Sequence, residues 1–275
     1  MKIIQIVRAI ASATIALIVT APAAWAQNVS LGTASQFAVL GGSAVTNTGA
    51  TVVTGSVGVS PGTAITGFPP GSIVPGSGLL HSANAVAAQA QADLTTAYND
   101  AATRPCGTVI AGGTLGGLTL TPGVYCGAAS LTGVLTLNGA GVYIFQFPST
   151  FVTASGSSVA LINGAQACGV TYQVTSSATL GTGSNISGNI LALTSITLTT
   201  GANLNGRTLA RNGAVTLDTN TVTACSGGPV PPVPPIVPVA PGGPAQAVPT
   251  LSEWAMILLA ALMAATAFVA MRKRS

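Results

Sequence analysis

The chain has 275 residues, of which only 4% are charged, against about a quarter in an ordinary globular protein. Its formal charge of +4 comes from the ends: Lys2 and Arg8 at one, Arg272, Lys273 and Arg274 with Glu253 at the other. Between them Arg104, Arg207 and Arg211 cancel Asp93, Asp100 and Asp218. Three cations are too few to track a polyphosphate, which excludes nucleic acid as a partner. Three scattered Asp and a lone His81 offer no cluster for acid–base or metal chemistry, so the composition also argues against an enzyme, a cofactor and a small-molecule substrate.

In chain order, residues 1–26 read as a secretory signal peptide. Lys2 and Arg8 form the charged start, residues 9–20 the apolar run, and Ala24-Trp25-Ala26 a small-residue cleavage site that places the cut between Ala26 and Gln27. Residues 27–226 are rich in Thr, Ser, Gly, Ala, Val and Leu, in short strand-like runs punctuated by Gly. Residues 82–103 are the exception. They lack Gly and Pro and place Val86, Ala90, Leu94, Ala97, Tyr98 and Ala101 at helical spacing, which predicts one helix with a narrow small-residue face, closed by Arg104-Pro105. His81 at its start reads as a surface or capping residue.

The remainder repeats. Thr179-Leu180-Gly181-Thr182-Gly183-Ser184-Asn185-Ile186-Ser187-Gly188 aligns with residues 197–206 at an offset of 18, and Ala192 falls on Ala210. Thr216-Leu217 continues the series, and residues 154–159 echo residues 181–186. A period near 18 with three short strands per turn predicts a β-solenoid, with Leu, Ile and Val inward and Gly at the corners. Cys106, Cys126, Cys168 and Cys225 fit an oxidising compartment and form no C-x-x-C. Three pairings are open. Proximity and the solenoid order favour Cys106–Cys126 with Cys168–Cys225.

Residues 227–248 form a Pro-rich linker suited to extended, semi-rigid geometry. Val248-Pro249-Thr250-Leu251-Ser252-Glu253-Trp254 follows, then the apolar stretch 255–271, near the lower limit for a transmembrane helix, then Arg272-Lys273-Arg274. This arrangement resembles the bacterial IPTL-CTERM sorting signal, with Val248 in place of the Ile that the name implies. The resemblance implies a Gram-negative exported or cell-surface protein, with the membrane and sorting machinery as partners of the tail.

Residues 31–40, 118–126, 143–146 and 206–217 resemble the microbial ice-binding family, and the similarity spans 29–225 with the helix in the expected place. It implies a discontinuous right-handed β-solenoid of triangular section, interrupted by one long helix, and a function in which a flat, uncharged face adsorbs ice through ordered water. The family's loose motif, Thr-(Ala/Gly)-any-(Thr/Asn), occurs at Thr48-Gly49-Ala50-Thr51, Thr63-Ala64-Ile65-Thr66, Thr182-Gly183-Ser184-Asn185 and Thr200-Gly201-Ala202-Asn203. Its first and last residues are therefore the candidate ice-binding positions: Thr48, Thr51, Thr63, Thr66, Thr182, Asn185, Thr200 and Asn203. The rival reading is a structural or adhesive surface-display module of the same fold. A solenoid polysaccharide enzyme would need a groove of clustered Asp and Glu, which this chain lacks.

Overall fold

The computed structural model describes residues 27–226. The signal peptide, the Pro-rich linker, the sorting motif and the apolar stretch 255–271 lie outside the described residues. Within them, no helix is long and apolar enough to cross a membrane.

Short runs that alternate apolar and small polar residues form strands with one buried side. In Ala44–Thr48, Val45 and Asn47 point inward while Thr46 and Thr48 point out. Twenty-one such strands pair in parallel into one 15-stranded and one 6-stranded sheet. Each pairing joins equivalent strands of successive coils, so the sheets wrap into three faces around one core.

The repeat offset becomes hydrogen-bond register. Asn185–Ala192 pairs with Asn203–Ala210 in steps of 18 along its whole length, Asn185 on Asn203 through to Ala192 on Ala210. The next step is 19, Ile196 on Val215. The preceding one is 27, Ser158 on Asn185, because residues 163–169 bulge out as a loop containing a 3-10 turn at Ala167–Gly169. Coil length varies, but the extra residues sit at corners and leave the strands in register.

Stack order differs from chain order. Phe37–Gly41, first in sequence, pairs with Asn203–Ala210 near the C-terminal end, and Ala44–Thr48 pairs with Val215–Asp218. After this first set of coils the chain must return to the far end of the stack. Helix α1, Ala85–Thr103, makes that return. Its 19 residues span about 28 Å, the depth of about six coils.

The helix buries Ala87, Ala90, Leu94, Ala97, Tyr98 and Ala101 against the solenoid. Alanines at three- and four-residue spacing let it lie close to the sheet. Val86, expected on this face, is 43% exposed, and Ala87 takes the buried place. The reason is a later start than residue 82. Ser82 still belongs to the strand Leu80–Ser82, and the Asn84 side chain caps the helix by accepting from the Ala87 amide at 3.0 Å. His81 supports that cap, its Nδ1 lying 3.1 Å from Asn84 Nδ2 and its ring edge-on to Phe37. Gln91 ties the helix to the carbonyls of Gly41 and Ala210, and Gln146 satisfies the Ala101 and Arg104 carbonyls at its C-terminal end. Asp93 accepts from the amide and hydroxyl of Thr33, contacts that hold its carboxyl below the ordinary range.

One feature of the interior was not read from the repeat. Tyr125, Phe145 and Tyr172 stack across successive coils at 5.4 and 5.2 Å, with Phe147 and Phe151 stacked beside them. The disulfides follow the favoured pairing, Cys106–Cys126 and Cys168–Cys225.

One corner is a column of left-handed residues. The amide of Gly156 donates to Thr182 O, that of Gly183 to Thr200 O, Gly201 to Asp218 O and Thr219 to Thr48 O. The column therefore reads Gly156, Gly183, Gly201, Thr219, Gly49, every member with φ between 55° and 73°. Thr219 alone carries a β-branched side chain there, in a conformation that L-residues resist. Thr219→Gly should raise stability by roughly 0.5–1 kcal/mol, the relieved clash exceeding the added chain entropy. Denaturant titration checks it. Phe145→Ala, which hollows the aromatic stack, should cost roughly 3–5 kcal/mol in the same assay.

Candidate functional site

Of the three faces, α1 covers one, formed by strands such as Tyr143–Phe147 and Val170–Val174, so the outward side chains there are buried as well. Two faces remain open. The six-stranded face runs in space from Phe151–Val152 through Ala178–Leu180, Ile196–Leu198, Val215–Asp218 and Ala44–Thr48 to Ala64–Thr66. Its inward positions Ala178, Ile196, Val215 and Val45 are buried. Its central outward column is Val152, Thr179, Thr197, Thr216, Thr46, Thr66, consecutive partners in the pairing register. Five threonines thus repeat at a coil spacing of ~4.8 Å. The Thr46 hydroxyl donates to that of Thr216 at 3.3 Å. The flanking column is smaller still: Ser177, Ser195, Ala214, Ala44 and Ala64. β-Branched residues with one preferred rotamer on a hydrogen-bonded sheet make this surface stiff as well as flat.

The motif residues distribute unevenly around it. Thr182 and Thr200 lie at the corner where this face meets the third, and Thr48 lies two coils beyond Thr200 along the same column. Asn185 and Asn203 stand just past the corner at the start of the third face, with Asn203 Nδ2 donating to Asn185 Oδ1 at 3.2 Å and the Thr221 amide donating to Asn203 Oδ1 at 3.0 Å. The structure therefore brings Thr182, Asn185, Thr200 and Asn203 together in adjacent coils, on an edge between two faces.

The two early motifs behave differently. Thr51 is fully buried, its hydroxyl accepting from the Asn220 amide at 3.1 Å, and has no access to an external ligand. This corner holds one residue more than its neighbours: Val52, not Thr51, pairs with Thr221 and so stands in the place of Asn203. A one-residue insertion reverses the inward–outward alternation, which sends Thr51 into the core. Thr63-Ala64-Ile65-Thr66 is no corner at all but the last strand of the face, where Thr66 joins the central ladder beside Thr46 and Thr63 sits before the strand.

The residues that sequence reasoning missed are Thr179, Thr197, Thr216 and Thr46. The signal was present, since Thr179, Thr197 and Thr216 recur at the repeat offset. The tetrapeptide motif drew attention to the corner instead.

Charge is nearly absent from both open faces. The exception is Asp218, which falls in the corner column between Thr200 and Thr48. Thr200 Oγ1 donates to its carboxylate, as does Thr219 at 3.1 Å, and these bonds hold the Asp218 carboxyl below its ordinary range. It stays ionised at neutral pH. Among the described residues no three His, Cys, Asp or Glu side chains converge as a metal site.

The inward–outward assignment is open to a direct check. Thr216→Lys, on the exposed ladder, should shift stability by no more than about half a kcal/mol. Leu217→Lys, one residue on, should leave the domain unfolded by burying an unpaired charge. Thermal denaturation separates the two outcomes.

Comparison with known proteins converges on one family. Residues 39–223 match the ice-binding-like family model, and residues 246–273 match the IPTL-CTERM motif. An ice-binding protein from Nostoc sp. (strain HG1) is 53% identical over 203 residues, covering 71% of this chain and 74% of its own length. Among solved structures, the ice-binding protein of the Antarctic ascomycete Antarctomyces psychrotrophicus aligns with a TM-score of 0.70 at 44% identity, covering 73% of this chain and all of its own. An ice-binding protein from an Antarctic biological consortium aligns at 0.68 and 48%, covering 72% and 91%. With the family model spanning well over half the chain and an identity of 53% to a relative covered over most of its length, this chain belongs to the ice-binding-like family.

Proposed function

We propose that the domain adsorbs to ice through its six-stranded threonine face. The observation that carries the reading is the in-register column Thr179, Thr197, Thr216, Thr46, Thr66. Each threonine presents a methyl that restrains neighbouring water and a hydroxyl that bonds to it. Backbone pairing repeats that unit at one spacing over a length of about 19 Å. Ions would organise water around themselves and disrupt such a layer, and no charged residue lies within the column. The names of the relatives support ice as the ligand.

The location follows the same reading. The match to a sorting motif supports export to the cell surface, with residues 1–26 removed at Ala26–Gln27 and the apolar stretch 255–271 engaging the membrane during sorting.

One observation favours the display-module alternative, and it is Asp218. A carboxylate interrupts the corner column at a position that is Thr182, Thr200 and Thr48 in three of the other coils. Thermal hysteresis and ice-recrystallisation inhibition of residues 27–226 decide between the readings. Ice binding predicts measurable activity, and Asp218→Thr should increase it severalfold at unchanged stability. A correctly folded domain without activity, and without gain in the Asp218→Thr variant, would leave the display module as its function.

A further inference from the structure

Arg207 is 93% buried by the solenoid and has no carboxylate within ion-pair distance among the described residues. Its Nε and one Nη donate to the Ser35 carbonyl at 2.9 and 2.8 Å, and the same Nη reaches the Cys225 carbonyl at 2.9 Å. The other Nη donates to Asn189 Oδ1 at 3.1 Å and to Cys225 Sγ at 3.0 Å, with Cys168 Sγ farther off at 3.6 Å. The guanidinium therefore clasps the entering chain at Ser35 and the departing chain at Cys225. Its unneutralised charge lies against one sulfur of the Cys168–Cys225 disulfide.

The two sulfurs are unequal. Cys225 is only 8% exposed and is the one against the guanidinium, while Cys168 is half-buried. Both border a cavity of about 500 Å³ whose other walls are residues 28–32, Ser35, Asn189 and Arg207. Arg207 is the sole charged side chain in that lining. Thiol exchange favours an accessible sulfur for attack and a stabilised thiolate as leaving group, and a cation within hydrogen-bond distance provides that stabilisation.

We propose that Cys168 is a thiol-exchange site for a low-molecular-weight thiol. The thiolate attacks Cys168 Sγ, a mixed disulfide forms there as the Cys168–Cys225 bond breaks, and the electron pair departs on Cys225 Sγ as a thiolate beside Arg207. No oxidant or reductant beyond the thiol is consumed, and return attack by Cys225 on Cys168 restores the bond. Cys225 lies just past the last strand, Thr221–Thr223, so exchange loosens the point at which the chain leaves the solenoid. Cys106 and Cys126 have no hydrogen bond from a cation to either sulfur among the described residues and serve as the internal reference.

The test treats the full chain briefly with 2-mercaptoethanol, quenches with acid, alkylates free thiols and maps the peptides by mass spectrometry. The expected product carries mercaptoethanol on Cys168 and the alkyl label on Cys225, outnumbering the reverse product roughly tenfold or more. After full reduction, the alkylation rate of Cys225 should reach half its maximum about one pH unit or more below the ordinary thiol value of about 8.5. Arg207→Met should bring that half-point back to the ordinary range. Should the variant not fold, the profile of the unaltered chain against Cys106 and Cys126 decides alone. A mixed disulfide on Cys225, or a Cys225 half-point no lower than those of Cys106 and Cys126, overturns the proposal.

Discussion

The parallel backbone ladder between successive coils fixes one separation, ~4.8 Å, for every residue that stacks on its equivalent. Side chains inherit that spacing without further adjustment, whether they point in or out. Inward, it sets Ile196 on Val215 and stacks Tyr125, Phe145 and Tyr172. Outward, it turns threonines far apart in sequence into a column. The ladder tolerates coils of unequal length because the extra residues leave at corners, where residues such as Gly183 and Gly201 take left-handed conformations.

The same ladder explains why the chain can be discontinuous. A coil stacks on any coil that presents an edge in register, regardless of which was made first. Phe37–Gly41 closes on Asn203–Ala210 as well as a sequential coil would, provided the chain can travel back along the stack. Helix α1 supplies the travel and consumes one face in doing so. A small-residue stripe is what this arrangement demands, because bulk at Ala90 or Ala97 would lift the helix from the sheet. The two remaining faces are left open, and the near-absence of charge in the body leaves both of them almost uncharged, with Asp218 at their shared corner as the exception.

Much of this was legible in the sequence. The 18-residue offset is literally the pairing register of Asn185–Ala192 on Asn203–Ala210, so the solenoid could be read where the repeat was clean. The helix was legible because Gly and Pro vanish from it. What could not be read was phase. The insertion at residues 49–52 flips the alternation and buries Thr51, an effect invisible to a motif that counts residues along the chain. Nor does a tetrapeptide separate a strand from a corner, which is why Thr63 and Thr66 matched it although Thr66 lies on the last strand and Thr63 just before it. The closure of Ala44–Thr48 onto Val215–Asp218 carries no local signal, so Thr46 and Thr66 could be added to the ladder only from the structure.

The central claim is that one face, and not the other, meets ice. The direct measurement is partition into a slowly growing ice hemisphere of the unaltered domain, Thr197→Lys on the threonine face and Asn205→Lys on the third face. Both positions are outward in neighbouring strands and should leave folding intact. The account predicts that Thr197→Lys is excluded from the ice while Asn205→Lys is incorporated like the parent. Incorporation of Thr197→Lys, with exclusion of Asn205→Lys, would contradict it.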